Sequence, residues 1–341
     1  MNPLAHPMAA MAFVDLLSTG ECDRAQGTGG SRGREEMAMV NRPLMWAAGD
    51  PRLQRLVADS RMAANTVHRF VAGNQLEDAV LVAQQLNQRR IGGILDLLGE
   101  GVTDSAGAAA ATAQYRESAV VIPASGLDAT ISVKLSQLGL TIDRETCLAN
   151  LGQILQQARD LGVTVEVDME QSELVPQTLE VFRLCVPEHP QLRLAMQACL
   201  RRTPWDLETL AALKPRVRLV KGAYSEPLDT SIRSRSEVTA QFKFLTEWLF
   251  EHGSDPAFGT HDDACIEHAM AAATRNGVGQ GDFEFQMLYG VRRDLQERLA
   301  QDGFRVRVYI PFGSAWYPYL MRRMAERPAN LRFFARALVG G

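Results

Sequence analysis

Several short stretches of this chain place charged residues where a plain structural role calls for apolar ones. Ile131, Val133 and Leu135 alternate with Ser132 and Lys134. Val163, Val165 and Val167 alternate with Thr164, Glu166 and Asp168. The same rhythm interleaves Arg193, Ala195 and Gln197 with Leu192, Leu194 and Met196, Glu284 and Gln286 with Phe283 and Phe285, and Arg305, Arg307 and Tyr309 with Val306 and Val308. Side chains on a strand switch face at every residue, so each stretch has one apolar and one polar face. Buried polar groups are costly without partners. A wall this polar holds a dense ion-pair network, a polar ligand, or both. Internal pairing alone, such as Lys134 with Glu100, is the plainer alternative. The polar positions gather toward the C-terminal ends of the stretches, which favours a ligand.

A second constellation lies near the C-terminus. On a helix from about Trp316 to Glu326, Tyr319, Arg322, Arg323 and Glu326 fall at i, i+3, i+4 and i+7, on one face. Two adjacent arginines offer planar forks for a carboxylate. The alternative is a solvated helix with an Arg322–Glu326 pair across one turn; Tyr319 on the same face favours a site. Arg218 is a cation on the wall of the stretch 217–224, suited to stabilising developing negative charge or to pairing with Glu166 or Asp168. Lys134 needs a carboxylate partner, for which Asp168 is suited, because a lone buried lysine is too costly. The run His261-Asp262-Asp263 with Glu267 and His268 lacks a third ligand at convincing spacing, so no metal site is expected. Tyr115, Trp205 and Trp248 read as packing residues.

These residues must be positioned by something. Eight short β-like runs, 92–98, 129–135, 163–169, 192–198, 217–224, 257–261, 283–288 and 305–310, are separated by helical stretches. Alternation of this kind implies parallel βαβ units, and eight units suggest a closed α/β barrel, a (β/α)8 TIM barrel with its active site at the C-terminal strand ends. An open doubly wound sheet is the competing fold. Residues 51–90 read as two or three short helices, with Leu76, Ala79, Val80, Ala83 and Leu86 at helical spacing. The expected organisation is a disordered segment 1–40, a helical extension 41–90 and a catalytic barrel 91–335. The run QGTGGSRGR at 26–34 is Gly-rich without apolar periodicity. It is no dinucleotide loop, since Arg32 stands where the third Gly belongs and no strand precedes it. Met37 and Met39 follow it as candidate starts.

Composition narrows the class. The 341 residues carry 36 basic and 40 acidic side chains, a net charge of −4, without the basic stripe of a nucleic-acid partner. Five cysteines at wide spacing form no C-x-x-C pair, which argues against a disulfide framework or zinc and for a reducing compartment. No stretch approaches the roughly 20 apolar residues that span a bilayer, and no secretory signal is evident.

Four segments carry a resemblance to the proline dehydrogenase family, including the corresponding domain of bifunctional proline-utilisation enzymes. They are ISVKLSQLG at 131–139, RLVKGAY at 218–224, FGTHD at 258–262 with FEFQMLYG at 283–290, and YIPFGSAWYPYLMRRMAERPAN at 309–330. The likeness extends over about residues 90–335. It implies a distorted (β/α)8 barrel that binds FAD at the strand ends without a Rossmann fingerprint. The implied reaction oxidises L-proline to Δ1-pyrroline-5-carboxylate, the first step from proline to glutamate, and passes electrons to a membrane quinone. A separate pyrroline-5-carboxylate dehydrogenase is then an expected partner, and a cytoplasmic protein at the inner face of the membrane the expected location.

By the same resemblance, Lys134, Asp168, Tyr309, Tyr319, Arg322 and Arg323 match substrate-site positions, and Tyr224 and Leu288 match residues around the proline ring. Met169, Gln197, Arg218, Lys221, Gly222, Ala223, Thr260 and His261 match flavin contacts, and Glu326 a glutamate near the flavin. Asp168 and Arg218 are the implied catalytic residues. No residue is placed as a base for the proline amine. The chain departs from the family in lacking an aromatic residue near Leu97 and in an alanine-rich segment between Thr103 and Ala129. Hydroxyproline oxidation and a non-catalytic flavin-binding barrel are the competing readings. Tyr309 favours proline over hydroxyproline, and every matched polar position is filled.

Overall fold

A computed structural model describes residues 67–99, 102–224 and 226–326. The chain divides into two compact units, Ala72–Ser314 and a second formed by Met1–Val71 with Ala315–Gly341. The first unit is a closed barrel of eight parallel strands in sequential order, so the doubly wound alternative falls away. The strands are β1 (Gly92–Leu97), β2 (Ala129–Val133), β3 (Val165–Val167), β4 (Arg193–Gln197), β5 (Arg216–Val220), β6 (Ala257–Gly259), β7 (Glu284–Leu288) and β8 (Arg305–Phe312). Each expected run overlaps one of them, though β5 begins one residue earlier, at Arg216, and β8 continues two residues further, to Phe312; β8 closes on β1 with Ile94 opposite Tyr309.

The helices follow from local chemistry. α1 (Leu76–Asn87) precedes the barrel and buries Ala79, Ala83 and Leu86. A Cβ on Gly93 would meet Ile310 Cδ1 at 3.1 Å and Ala83 Cβ at 3.4 Å, so glycine lets α1 approach β1 closely. The alanine-rich segment forms α2 (Ser105–Ala124), a twenty-residue helix capped by Asp104, whose carboxylate accepts from Gly107 N–H. Asp143 caps α3 (Arg144–Asp160) in the same way. α4 (Val175–Cys185) and the short α5 (Thr203–Glu208) follow β3 and β4. Ser234 caps α6 (Arg235–His252), Asp262 caps α7 (Asp263–Arg275), and α8 (Arg293–Gln301) precedes β8. In the second unit, residues 67–70 are helical and α9 runs from Trp316 to Glu326, as its spacing predicts. The expected disordered segment 1–40, its Gly-rich run, and the start of the helical extension lie outside the described residues. Among those described, no helix is long and apolar enough to cross a membrane.

The alternation in the strands separates two environments. Outward-facing residues such as Val165, Leu194, Val217, Leu219, Phe258, Phe285 and Val308 join the helices in one apolar layer. Phe250, Phe258, Phe283, Phe285 and Phe304 form an aromatic cluster within it, with Phe250 and Phe258 centroids 5.3 Å apart. Burying a phenylalanine stabilises the fold by about 1.5–3 kcal/mol.

The inward faces carry charge. At the N-terminal end of the barrel, Arg193 contacts Asp255 at 2.7 Å, Glu284 at 3.2 Å and Glu166 at 3.4 Å. Arg305 meets Asp255 at 2.6 Å, Arg307 meets Glu284 at 3.1 Å and Asp128 at 2.9 Å, and Arg216 pairs with Asp255. Four arginines and four carboxylates thus form the barrel floor. Burial alone would raise the Glu284 carboxyl, but Arg307 and Arg193 outweigh it and bring its pKa from the ordinary 4.5 down to about 2. A depressed carboxylate contributes stability above its unfolded pKa, and that contribution fades as pH falls toward the folded value. Glu284→Gln is expected to cost about 3–5 kcal/mol at pH 7, since it strands buried arginines. Urea unfolding of both proteins at pH 7 and near pH 3 checks this: the gap narrows in acid, whereas an unchanged gap means that Glu284 acts through shape alone.

Candidate active site

Above the floor, the strand ends gather a second charged layer around Asp168, which follows β3. Its Oδ1 accepts from Ser132 Oγ at 2.6 Å and from Arg218, and its Oδ2 from Tyr309 Oη at 2.6 Å and Lys134 Nζ at 2.9 Å. Four donors from three other strands therefore converge on one carboxylate. Ser132 and Lys134 come from β2 and the residues just beyond it, Arg218 from β5 and Tyr309 from β8. The Tyr309 ring lies 5.4 Å from the Arg218 guanidinium carbon, within cation–π range. Lys134 Nζ also contacts Asp96 Oδ1 at 2.5 Å and lies 3.3 Å from Tyr309 Oη. Asp96 and Asp168 thus hold Lys134; the alternative partner Glu100 lies outside the described residues.

The protonation states follow from these neighbours. Burial would raise Asp168, but Lys134 and then Arg218 outweigh it and hold the carboxyl well below its ordinary range. For Asp96 burial dominates over the attraction of Lys134, and its pKa is raised. Burial pushes the Tyr309 hydroxyl up, and the charges of Asp168 and Asp96 add to this, so it remains a neutral donor. Burial would lower the Lys134 and Arg218 pKa values, yet the carboxylates keep both well above their ordinary values. The cluster is a nearly balanced set of two cations, two carboxyls and a phenol, each held by the others.

The remaining sequence-derived positions lie around this cluster at the ends of β3 to β7. Met169 is buried directly after Asp168. Gln197 Nε2 donates to the Glu170 carbonyl at 2.9 Å. Lys221 Nζ contacts Asp262 Oδ2 at 2.5 Å and Thr239 Oγ1 at 2.7 Å. Gly222 has φ +111°, and a Cβ there would collide with Cys199 Sγ, so the exposed turn Gly222-Ala223 needs glycine. Thr260 Oγ1 accepts from Asp262 N–H at 3.1 Å, and His261 Nε2 accepts from Leu288 N–H at 2.9 Å. Leu288 pairs in register with Tyr309, and Tyr224 is partly exposed after β5.

On α9 the side chain of Tyr319 is buried. Those of Arg322, Arg323 and Glu326 lie outside the described residues, although the helix is continuous through them.

The structure extends and corrects the sequence reading. Asp96, 1% exposed, was not singled out, although a lone acid in the apolar run GGILDLLG was a usable signal. Trp205 is not a packing residue, being 67% exposed on α5, whereas Trp248 is buried and donates to Glu208 Oε1 at 2.6 Å. Tyr115 packs in the core, and its hydroxyl bonds Gln137 Oε1 at 2.5 Å while accepting from Lys134 N–H at 3.4 Å. Asp263 pairs with Arg292, and His268 faces Glu247.

The family described as proline dehydrogenase matches residues 79–336. The chain belongs to that family. It is 35% identical over 271 residues to Proline dehydrogenase 1 of Bacillus subtilis (strain 168), covering 80% of this chain and 90% of the relative. It is 34% identical over 308 residues to the proline dehydrogenase of Deinococcus radiodurans, covering 89% of this chain and 99% of the relative. Among solved structures, proline utilization A (PutA) from Bdellovibrio bacteriovorus, inactivated by N-propargylglycine, superposes with a TM-score of 0.73 at 21% identity. That match covers 94% of this chain but 41% of the longer protein, so the present chain spans about two fifths of it, and at that identity it speaks for the fold alone.

The hub role of Asp168 has a measurable consequence. Ser132→Ala removes one bond to a charged group, expected to cost about 1.5–3 kcal/mol. Asp168→Asn strips a shared anion from two buried cations, expected to cost about 3–5 kcal/mol. Urea unfolding of both variants decides; an Asp168→Asn cost no larger than that of Ser132→Ala would remove Asp168 from the centre of the network.

Proposed function

We propose that the chain oxidises L-proline to Δ1-pyrroline-5-carboxylate with FAD bound over the C-terminal ends of the barrel strands, delivering electrons to a quinone at the membrane face. The observation that carries this reading is the preassembled cluster of Lys134, Asp168, Arg218 and Tyr309 at the strand ends of a proline dehydrogenase family barrel. Residues 91–335 are read as the catalytic barrel, with 41–90 as its helical extension.

The residues present fit a flavin. Arg218 Nη1 is buried and has no hydrogen-bond partner among the described atoms, lying 3.5 Å from Glu166 Oε2. A buried guanidinium N–H left over in this way suits an acceptor on a bound ring. Gln197, Lys221, Thr260 and the backbone of Gly222-Ala223 offer polar groups around it, Met169 an apolar one, and His261 and Glu326 complete the matched positions. Bound there, FAD would supply the two-electron, hydride-accepting chemistry that oxidation of the carbon beside the proline nitrogen requires.

Every other task falls to the chain. Arg322 and Arg323 grip the substrate carboxylate with planar forks, and Tyr319 shares their helix face. Tyr224 and Leu288 seat the ring. Lys134, held by Asp96 and Asp168, presents a fixed positive charge, while Tyr309 stays a neutral donor whose ring is pinned beside Arg218. Because these groups are already paired and oriented, little reorganisation is needed when charge moves. The product is a cyclic imine acid, and a separate pyrroline-5-carboxylate dehydrogenase would carry it on toward glutamate.

The protein loaded with FAD is expected to show a flavin spectrum that L-proline bleaches without oxygen, and to reduce a quinone analogue but not NAD. A protein that cannot be loaded with FAD, or that turns over proline only with NAD, overturns the reading. Arg322→Met and Arg323→Met are each expected to lower kcat/KM for proline at least about tenfold, with near-normal flavin content. On a solvated helix each would lose an exposed pair worth about 0–1 kcal/mol, and kinetics would hardly change.

A further inference from the structure

One residue touches both charged layers of the barrel. Glu166 is fully buried on β3, two positions before Asp168, so both carboxylates project from the same face of one strand. Its Oε1 accepts from Thr130 Oγ1 at 2.9 Å, and its oxygens lie 3.3 and 3.1 Å from Gln286 Nε2. Below, Arg193 Nη1 is 3.4 Å from Oε1; above, Arg218 Nη1 is 3.5 Å from Oε2. Its closer contacts are to neutral donors, and its two cations stand off on opposite sides.

Charge balance makes this position consequential. Arg218 and Lys134 are matched by Asp168 and Asp96. On the floor, Arg193, Arg216, Arg305 and Arg307 face Asp255, Glu284 and Asp128, and the Asp128 side chain is 68% exposed. Without Glu166, the buried Arg193 loses one of its three carboxylates and Arg218 one of its two, so the positive charge around Arg218 is less offset. In a closed lumen the field of that charge is poorly screened.

We propose that Glu166 is a positioning residue that limits the positive field Arg218 presents to the flavin and thereby sets the reduction potential of the cofactor. This rests on the reading that the flavin lies against Arg218. The reduced ring carries more negative charge than the oxidised one, so positive charge nearby favours reduction. Glu166 holds that tendency down and keeps the reduced cofactor able to pass its electrons on. A mere brace of the barrel floor would affect stability and leave the potential unmoved.

The test is an anaerobic titration of the FAD-loaded protein against a reference dye of known potential, read from flavin absorbance. Glu166→Gln keeps the shape and removes the charge. It is expected to move the reduced-to-oxidised equilibrium at least about tenfold toward reduced, about 30 mV upward for a two-electron couple, while Glu166→Asp stays within about threefold of wild type. Gln286→Leu removes an amide that donates to both Glu166 and Glu284, leaves both negative charges less offset, and is expected to shift the potential downward. That variant decides the matter by its sign if Glu166→Gln does not fold. A Glu166→Gln protein that holds flavin at the wild-type potential overturns the assignment, as does a Gln286→Leu protein with no shift or an upward one. A wild-type protein that takes up no flavin, or whose flavin L-proline does not bleach, overturns the functional reading and this proposal together. Bleaching by proline with unmoved variant potentials overturns the role of Glu166 alone.

Discussion

A barrel interior admits charge only in compensated sets. The strands enclose a lumen in which an isolated ion would cost several kcal/mol even after relaxation, and a lost partner cannot readily be replaced by water. Most of the structure answers to that constraint. The floor matches its arginines to carboxylates contributed by the starts of several strands. The upper layer matches Lys134 and Arg218 to Asp96 and Asp168. Because each carboxylate serves partners on different strands, the register of the sheet and the pairing of charges specify one another. A slip of one residue would turn an entire charged face into the apolar helix layer.

The same constraint explains why the groups of this site hold one another in fixed protonation states. Asp168 is held ionised by its cations, and Tyr309 is held neutral by burial and by the two carboxyls beside it. Neither can drift into another protonation state near neutral pH without breaking several contacts at once. Rigidity here is electrostatic as much as steric. The apolar layer outside, dense with phenylalanine around β6 and β7, supplies the burial that stabilises the fold and keeps water from the pairs.

Family membership and the barrel support each other through different observations. The curated relatives share about a third of their residues with this chain over most of their length. The PutA structures share the fold at lower identity and continue well beyond the region matched here. Within the barrel of this chain Glu166 sits between two arginines, and the twenty-residue α2 carries eight alanines.

The sequence by itself determined the element order and the two faces of each strand. Both are properties of local period: alternation at every second residue marks a strand with unlike faces, and spacing at i, i+3, i+4 marks a helix. Lys134, Asp168, Arg218 and Tyr309 were legible because they interrupt that pattern, and the order of motifs carried the family. Partnership was legible only in part: Asp168 was expected for Lys134, and Asp168 or Glu166 for Arg218, and these contacts form, but the second acid on Lys134 was not. Lys134 could have paired with any nearby acid, yet closure of β1 against β2 and β8 brought Asp96 to its amine. Arg193 and Glu284, 91 residues apart, meet because β4 and β7 face one another across the lumen. Trp205 read as core because tryptophan is usually covered, and only the placement of α5 left it outside. Period is written in neighbouring residues, whereas the choice of partner across a closed sheet depends on tilt, register and closure, which exist only once the whole barrel has formed.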